Sequence, residues 1–294
     1  TFGESHGGGL GAIVEGCPAG LILDIAAIQY DLERRRPGQS AISTQRKEPD
    51  ELLIKSGLFE GKTLGTPICL MVENKDADPN AYAPFKDIYR PSHADFTTEA
   101  KYGIRNWQGG GRASARETVA RVAAGAIAKQ VLSHLTNIEI LAWVDQVGEI
   151  QATVDPLAIQ TADIESNAVR CPDPIAADQM EALIRSVRAD GDSIGGVLRC
   201  VARNVPAGLG DPVFDKLEAD LAKAMLSLPA AKGFESGLGY QSVGMRGSDH
   251  NDPFIIQNDE VRTQSNHSGG IQGGISNGMP ITLSVAFKPT ATIF

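Results

Sequence analysis

Apolar positions recur at helical spacing early in the chain, at Ile25, Ile28 and Leu32. Asp24 stands in front of them as a helix cap, and the pattern stops at three arginines followed by Pro37-Gly38. Residues 52–59 and 67–72 are short apolar runs separated by G-K-T-L-G, and they read as strands. Residues 114–135 form an alanine-rich stretch that is apolar around most of a helical circumference, which predicts a long buried helix. A strand is expected over 138–147, helices over 176–188 and 213–228, and another strand over 197–201. Near the end, Ile281, Leu283, Val285 and Phe287 alternate with Thr282, Ser284 and Ala286, the signature of a half-buried strand. Strands and helices arrive in blocks, so an α+β fold is favoured over a doubly wound parallel sheet. C-P-A-G-L at 17–21 is echoed by V-P-A-G-L at 205–209, a hint of internal duplication. Linker-like tracts are absent, and one domain over residues 1–294 is expected.

Composition narrows the classes. Of the 294 residues 42% are hydrophobic, enough for a real core. No apolar run approaches the roughly 20 residues needed to span a bilayer. The chain opens on Thr1 without a basic or apolar leader, so no signal peptide is read and a trimmed start is expected. Cys17, Cys69, Cys171 and Cys200 lie far apart and read as reduced core thiols of a cytoplasmic protein. A net charge of −9 argues against nucleic acid or membrane as partner. Yet arginines cluster at Arg34, Arg35 and Arg36, at Arg46, and at Arg112 and Arg116 around a glycine loop. An acidic protein that concentrates arginine beside glycine suits a small anionic ligand, because the guanidinium fork matches phosphate and carboxylate.

The chemistry is concentrated in loops. T-F-G-E-S-H-G-G-G-L-G places His6 between an acid, a serine and three glycines. G-G-G-R-A-S-A-R, 109–116, leads into the predicted long helix, where unpaired N–H groups and the dipole attract anions. Two arginines there would oppose the dipole without a ligand, so phosphate binding is favoured over a simple cap by Ser114. S-G-L-F-E-G-K-T resembles a P-loop, but its glycines are too close and a strand-like run follows. His93, in R-P-S-H-A-D, has Asp95 nearby to orient or charge its ring. His134 falls near a helix C-terminus, His250 reads as an exposed loop residue, and His267 fits ligand contact and loop support equally. No spacing predicts a metal site.

Taken together, T-F-G-E-S-H-G, R-R-R-P-G, Y-R-P-S-H-A-D, Y-G-I-R-N-W-Q-G-G-G-R-A-S-A-R-E-T, Q-S-N-H-S-G-G-I-Q-G-G-I-S and F-K-P-T resemble the chorismate synthase family, in order along the whole chain. The resemblance implies an anti 1,4-elimination of phosphate from 5-enolpyruvylshikimate 3-phosphate to give chorismate, with reduced FMN required and no net redox change. It also implies a homotetramer with helices sandwiched between antiparallel sheets. Carried over residue by residue, His6 protonates the departing phosphate and His93 protonates the reduced flavin near N1. Flavin contacts fall on Arg112, Ala113, Ser114, Pro229, Ala230, Gly273, Lys288, Pro289, Thr290, Ala291 and Thr292. Anion-binding arginines fall on Arg35, Arg90 and Arg116, with a nicotinamide (NADP) phosphate contact also expected at Arg35.

Two departures from the family pattern stand out. Ala41 occupies a position where many members carry arginine, and Arg46 is the nearest replacement. The family's G-R-H-D-P region does not occur before Phe294, and about a dozen residues are expected before Thr1. Two other classes remain open on the residues alone. A flavin reductase would consume one reductant per product, and a non-catalytic anion-binding module would bind phosphates without turnover.

Overall fold

The computed structural model describes residues 1–40, 42–44 and 46–293. They form two compact units, Thr1–Thr136 and the residues from Asn137 onward. In the first unit β1 (Phe2–Gly3) and β2 (Gly9–Val14) are followed by α1 (Ile25–Arg35), β3 (Leu52–Ser56), the small hairpin β4 (Leu58–Phe59) and β5 (Lys62–Thr63), then β6 (Ile68–Glu73), α2 (Asp95–Tyr102) and α3 (Thr118–Leu135). Its sheet runs β1-β2-β6-β3, antiparallel throughout. Asp24 caps α1 by accepting from Ala27 N at 3.0 Å, and Arg34 and Arg35 occupy the last turn, where the dipole favours cations. Ile28 and Leu32 are fully buried and share a core with Leu10, Leu70, Val119 and Ile127. Burial of each such side chain contributes about 1.5–3 kcal/mol.

Two expectations are corrected in this unit. Part of the opening glycine stretch is strand β2, not loop. A Cβ at Gly11 would lie 2.1 Å from Leu70 O and 2.4 Å from Phe2 Cζ, so only glycine lets β2 lie this close to its neighbours. The long helix starts at Thr118 rather than 114, because Ser114 is extended (ψ 143°) between two 3-10 turns, Gly111–Ala113 and Ala115–Glu117. Only one face of it, Val119, Ala120, Ala123, Ala126 and Ile127, is fully buried.

The second unit holds β7 (Glu139–Val147), β8 (Ile150–Gln151), α4 (Thr161–Ile164), α5 (Pro174–Ala189), β9 (Gly196–Arg203), α6 (Leu217–Leu226), β10 (Ala231–Ser236), α7 (Gly247–His250), the hairpin β11 (Phe254–Gln257) and β12 (Glu260–Thr263), the hairpin β13 (Ile271–Gln272) and β14 (Ile275–Ser276), and β15 (Ile281–Phe287). The sheet order is β10-β15-β9-β7-β8, again antiparallel. The fold is α+β. Helix α6 begins four residues later than its apolar pattern, since Val213 and Phe214 are exposed in a turn closed by Asp211 N donating to Asp215 O. Strand β10 and the β11–β12 hairpin carry no alternation strong enough to announce them.

The two units repeat one another. The order β2-β6-β3 recurs as β9-β15-β10. Register recurs too: Val14 faces Ile68 and Leu10 faces Val72, as Ala202 faces Ile281 and Leu198 faces Val285. The two P-A-G-L turns are bound alike. Thr63 Oγ1 donates to Pro18 O and accepts from Leu21 N, while Ser276 Oγ donates to Pro206 O and accepts from Leu209 N. Gly20 and Gly208, both at positive φ, donate to the carbonyls of Thr63 and Ser276. Five echoed residues therefore mark a duplicated frame. Among the described residues no helix is long and apolar enough to cross a membrane.

Candidate active site

His6 lies in the loop between β1 and β2, within the first unit. Ser5 beside it is buried, with Oγ 3.1 Å from His6 Nδ1. Gly109, at φ +102°, presses its backbone against the same nitrogen, where an added Cβ would come within 2.4 Å. The Tyr82 ring meets the imidazole edge-on at 4.8 Å. Burial lowers the His6 pKa most, the charge of Arg46 lowers it next, and Asp78 pulls it up more than Arg116 pulls it down, with Glu48 a smaller upward pull.

Three arginines border this loop in one ion-pair network. Asp50 accepts from Arg35 Nη1 at 3.0 Å and from Arg116 Nη1 at 2.8 Å. Glu48 accepts from Arg46 Nη2 at 2.6 Å and from the main-chain N–H groups of Lys75 and Asp76. Burial pushes the Glu48 carboxyl up, but those hydrogen bonds and the arginines hold it below its ordinary value. Both acidic side chains are fully buried. Arg116 is 4% exposed, and its Nη2 has no hydrogen-bond acceptor. These internal partners correct the helix-dipole argument for Arg116. Arg112 also has internal acceptors, the carbonyls of Thr1 and Gly3, together with the Glu117 carboxylate. Ser114 accepts from Arg116 N, so it caps a turn, not the long helix.

His93 stands next to this network in the chain of contacts. Its N–H donates to Arg90 O, and Arg90 Nη2 donates to Gly109 O. Asp95 does not orient the His93 ring. It binds Arg90 instead, through Nε at 2.9 Å, Nη2 at 2.8 Å and the main-chain N–H at 3.0 Å. That pairing holds the Asp95 carboxyl down to about 2. His93 Nδ1 lies 2.9 Å from Pro91 O. A carbonyl only accepts, so Nδ1 carries a hydrogen and donates to it.

A second group of expected residues lies in the other unit. Lys288 N donates to Ala230 O, which joins Pro229 and Ala230 to the segment 288–292. Ala230 sits at φ +68°, and Ser193 Oγ donates to Thr290 O. Gly273 is at the tip of β13–β14 with nothing within 4 Å of an added Cβ. It is not beside Ala230: the adjacent Gly274 binds the start of α6, whereas Ala230 follows that helix's end. His250 lies in α7, not an open loop, and its carbonyl is 3.1 Å from His267 Nδ1. Asp252 gathers Ser265 Oγ and the N–H groups of His267 and Ser268, which ties down the His267 loop. Among the described residues no cluster is placed to hold a metal. Ala41 lies outside the described residues.

The chorismate synthase family model matches residues 1–294. The chain belongs to the chorismate synthase family. It is 60% identical to the chorismate synthase of Nostoc punctiforme and 61% identical to that of Prochlorococcus marinus, covering all of this chain and 81% of each relative. A crystal structure of a chorismate synthase superposes with a TM-score of 0.79 at 35% identity, over 98% of this chain and 83% of that one. The chain is thus a carbon–oxygen lyase of aromatic amino acid biosynthesis, releasing phosphate from 5-enolpyruvylshikimate 3-phosphate to give chorismate. Glu48, Asp50, Asn74 and Tyr82 escaped the sequence reading. The only signal for the acids was E-P-D following R-K in a loop.

Proposed function

We propose that His6 is the acid that protonates the departing phosphate, with Arg35, Arg46 and Arg116 as the cations that hold the substrate's anionic groups. One observation carries this reading: a half-buried imidazole bordered by Arg46 and Arg116, with Arg116 Nη2 buried and lacking an acceptor. Arg116 Nη2 lies 3.8 Å from Glu48 Oε2 without a hydrogen bond, and a buried donor left without one costs about 1–3 kcal/mol, which an anionic oxygen would relieve. Without substrate, burial and the arginines keep His6 neutral near pH 7. A phosphate dianion brings the opposite charge and raises the imidazole pKa, so binding itself loads the acid. Arg46 also stands in for the arginine that Ala41 replaces. Arg90, held by Asp95, fixes the loop that carries His93.

The residues assigned to FMN fit such a group by their chemistry. Arg112 in the first unit and, taken by itself, Lys288 in the second are each cations suited to a phosphate or to the anionic ring edge of the reduced form. When bound, reduced FMN supplies electron density while the C–O bond breaks. His93 is the proposed proton donor to the flavin; Ala113 and Ser114 in the first unit are expected flavin contacts, and so, taken by themselves, are Pro229, Ala230 and the segment 288–292 in the second. The enzyme is read further as a cytoplasmic homotetramer in which residues 1–294 act as one domain, with Arg35 able to take a nicotinamide phosphate.

The test excludes oxygen and supplies photoreduced FMN with 5-enolpyruvylshikimate 3-phosphate. Many chorismate molecules per flavin, with the flavin still reduced, are expected. One product per flavin with the flavin left oxidised would make this an oxidoreductase. Binding without turnover would leave an anion-binding module.

A further inference from the structure

Asn74 follows β6 and joins the acid to the cations. Its Nδ2 donates to Glu4 O at 2.9 Å and to Gly7 O at 2.8 Å, carbonyls on either side of His6. Its main-chain N–H donates to Gly8 O. Its Oδ1 accepts from Arg116 Nε at 2.8 Å and from Arg46 Nη2 at 3.5 Å. Arg46 Nη2 in turn donates to Ser5 O. A planar amide offers two donors and one acceptor oxygen at a single end, and here every one is engaged. The orientation is fixed by chemistry: guanidinium groups only donate and carbonyls only accept, so the amide cannot be turned over.

We propose that Asn74 is a positioning residue that couples occupancy of the arginine pocket to the placement of the His6 imidazole. This rests on the reading of His6 as the acid. An anion that takes up Arg46 and Arg116 acts on the same Oδ1 whose amide plane sets the carbonyls of Glu4 and Gly7. The His6 loop has no other side chain bonded to both of those carbonyls among the described contacts. A neutral amide is also needed here, since a carboxylate would turn acceptors toward two carbonyl oxygens.

Asn74→Asp tests this, because it keeps an acceptor for both arginines and replaces the donors to the His6 loop with a charged oxygen. Three measurements are made on the full chain: Tm, the kcat and KM for 5-enolpyruvylshikimate 3-phosphate, and the His6 ring titration by NMR with and without inorganic phosphate. The expected result is a folded variant with kcat lowered by roughly 10–10²-fold, the range for a misplaced reacting group, separately from the change in KM that the added charge brings. The phosphate-induced rise of the His6 pKa should shrink. Unchanged kcat, or lowered kcat with the phosphate-linked titration intact, would overturn the coupling. If Asn74→Asp does not fold, Asn74→Ser, which keeps one donor and one acceptor, is read by the same criteria. Full activity of His6→Ala would instead sink the underlying assignment of the acid, a separate outcome.

Discussion

Replacing Gly109 by alanine should move the imidazole of His6 without adding or removing any ionisable group. The new Cβ would sit 2.4 Å from His6 Nδ1, 3.0 Å from Cε1 and 3.1 Å from Ser5 Oγ, whereas ordinary contact begins near 3.4 Å. Relief requires a shift of about 1 Å, by the ring or by the loop that carries it, and a misplacement of that size can cost on the order of 10²-fold in rate. The φ of +102° adds backbone strain of about 1–2 kcal/mol for a residue bearing a Cβ. Gly111 separates the two effects. It lies in the same loop at φ +50°, with nothing within 4 Å of an added Cβ. Both variants should therefore lose a few degrees in Tm, but only Gly109→Ala should lose kcat on the scale of 10²-fold. Steady-state chorismate formation and thermal unfolding measure the pair. Equal kcat in the two variants, or an unaltered His6 ring signal in Gly109→Ala, would refute the claim that Gly109 sets the imidazole.

His6→Ala and His93→Ala should each lower kcat by roughly 10²–10⁴-fold in folded protein, the usual contribution of a positioned acid or base, as read by chorismate formation. Asp95, held down to about 2 by Arg90 from an ordinary 3.8, contributes stability that is fully present above the unfolded value and lost as pH falls through the folded one. The Tm advantage of wild type over Asp95→Asn should accordingly shrink between pH 4 and pH 2, and a gap that stays constant would contradict the pairing. Gly125→Ala, inside α3 with nothing within 4 Å of the new Cβ, should stabilise the protein by about 0.5–1 kcal/mol, and calorimetry showing a lower Tm would count against that open space.

What could be read from the sequence depended on whether the cause was local. Helix α1 was legible because its cap, its apolar spacing and its proline stop all lie within a dozen or so residues. Strand β2 was not, because its glycines answer to Leu70 O and Phe2, contacts that no local pattern announces. The β11–β12 turn was readable in principle: Asn258 and Asp259, both at positive φ, are a two-residue hairpin signal. Sites behave in the same way. His6 and His93 were visible from their loops and from family resemblance. The partners of Arg116 were not, since Asp50 is 66 residues away in the chain. Its charge looked unopposed and was credited to a ligand alone. Asp95 misled in the opposite sense, being adjacent to His93 in sequence but bonded to Arg90 in space.

The duplicated frame gives the scattered site residues a common origin. In the first unit, the turn after α1 and the residues just past β6 border the His6 network. Gly38 lies against Arg46 O, and Asn74 and Lys75 bind the His6 loop and Glu48. In the second unit the equivalent turn, after α6, carries Pro229 and Ala230, and the residues just past β15 begin with Lys288. Lys75 and Lys288 occupy matching places, each two residues beyond matching sheet partners, Glu73 with Gly9 and Ala286 with Val197. So the same two edges of the repeat border the proposed substrate site in one unit and carry some of the expected flavin residues, Pro229, Ala230 and Lys288, in the other. Sheet register, core and P-A-G-L turn are constrained by packing and hydrogen bonding, and they stayed alike. The loops at these edges carry little of the core and were free to diverge, one toward the arginine and amide that border the His6 loop and the other toward a cationic edge.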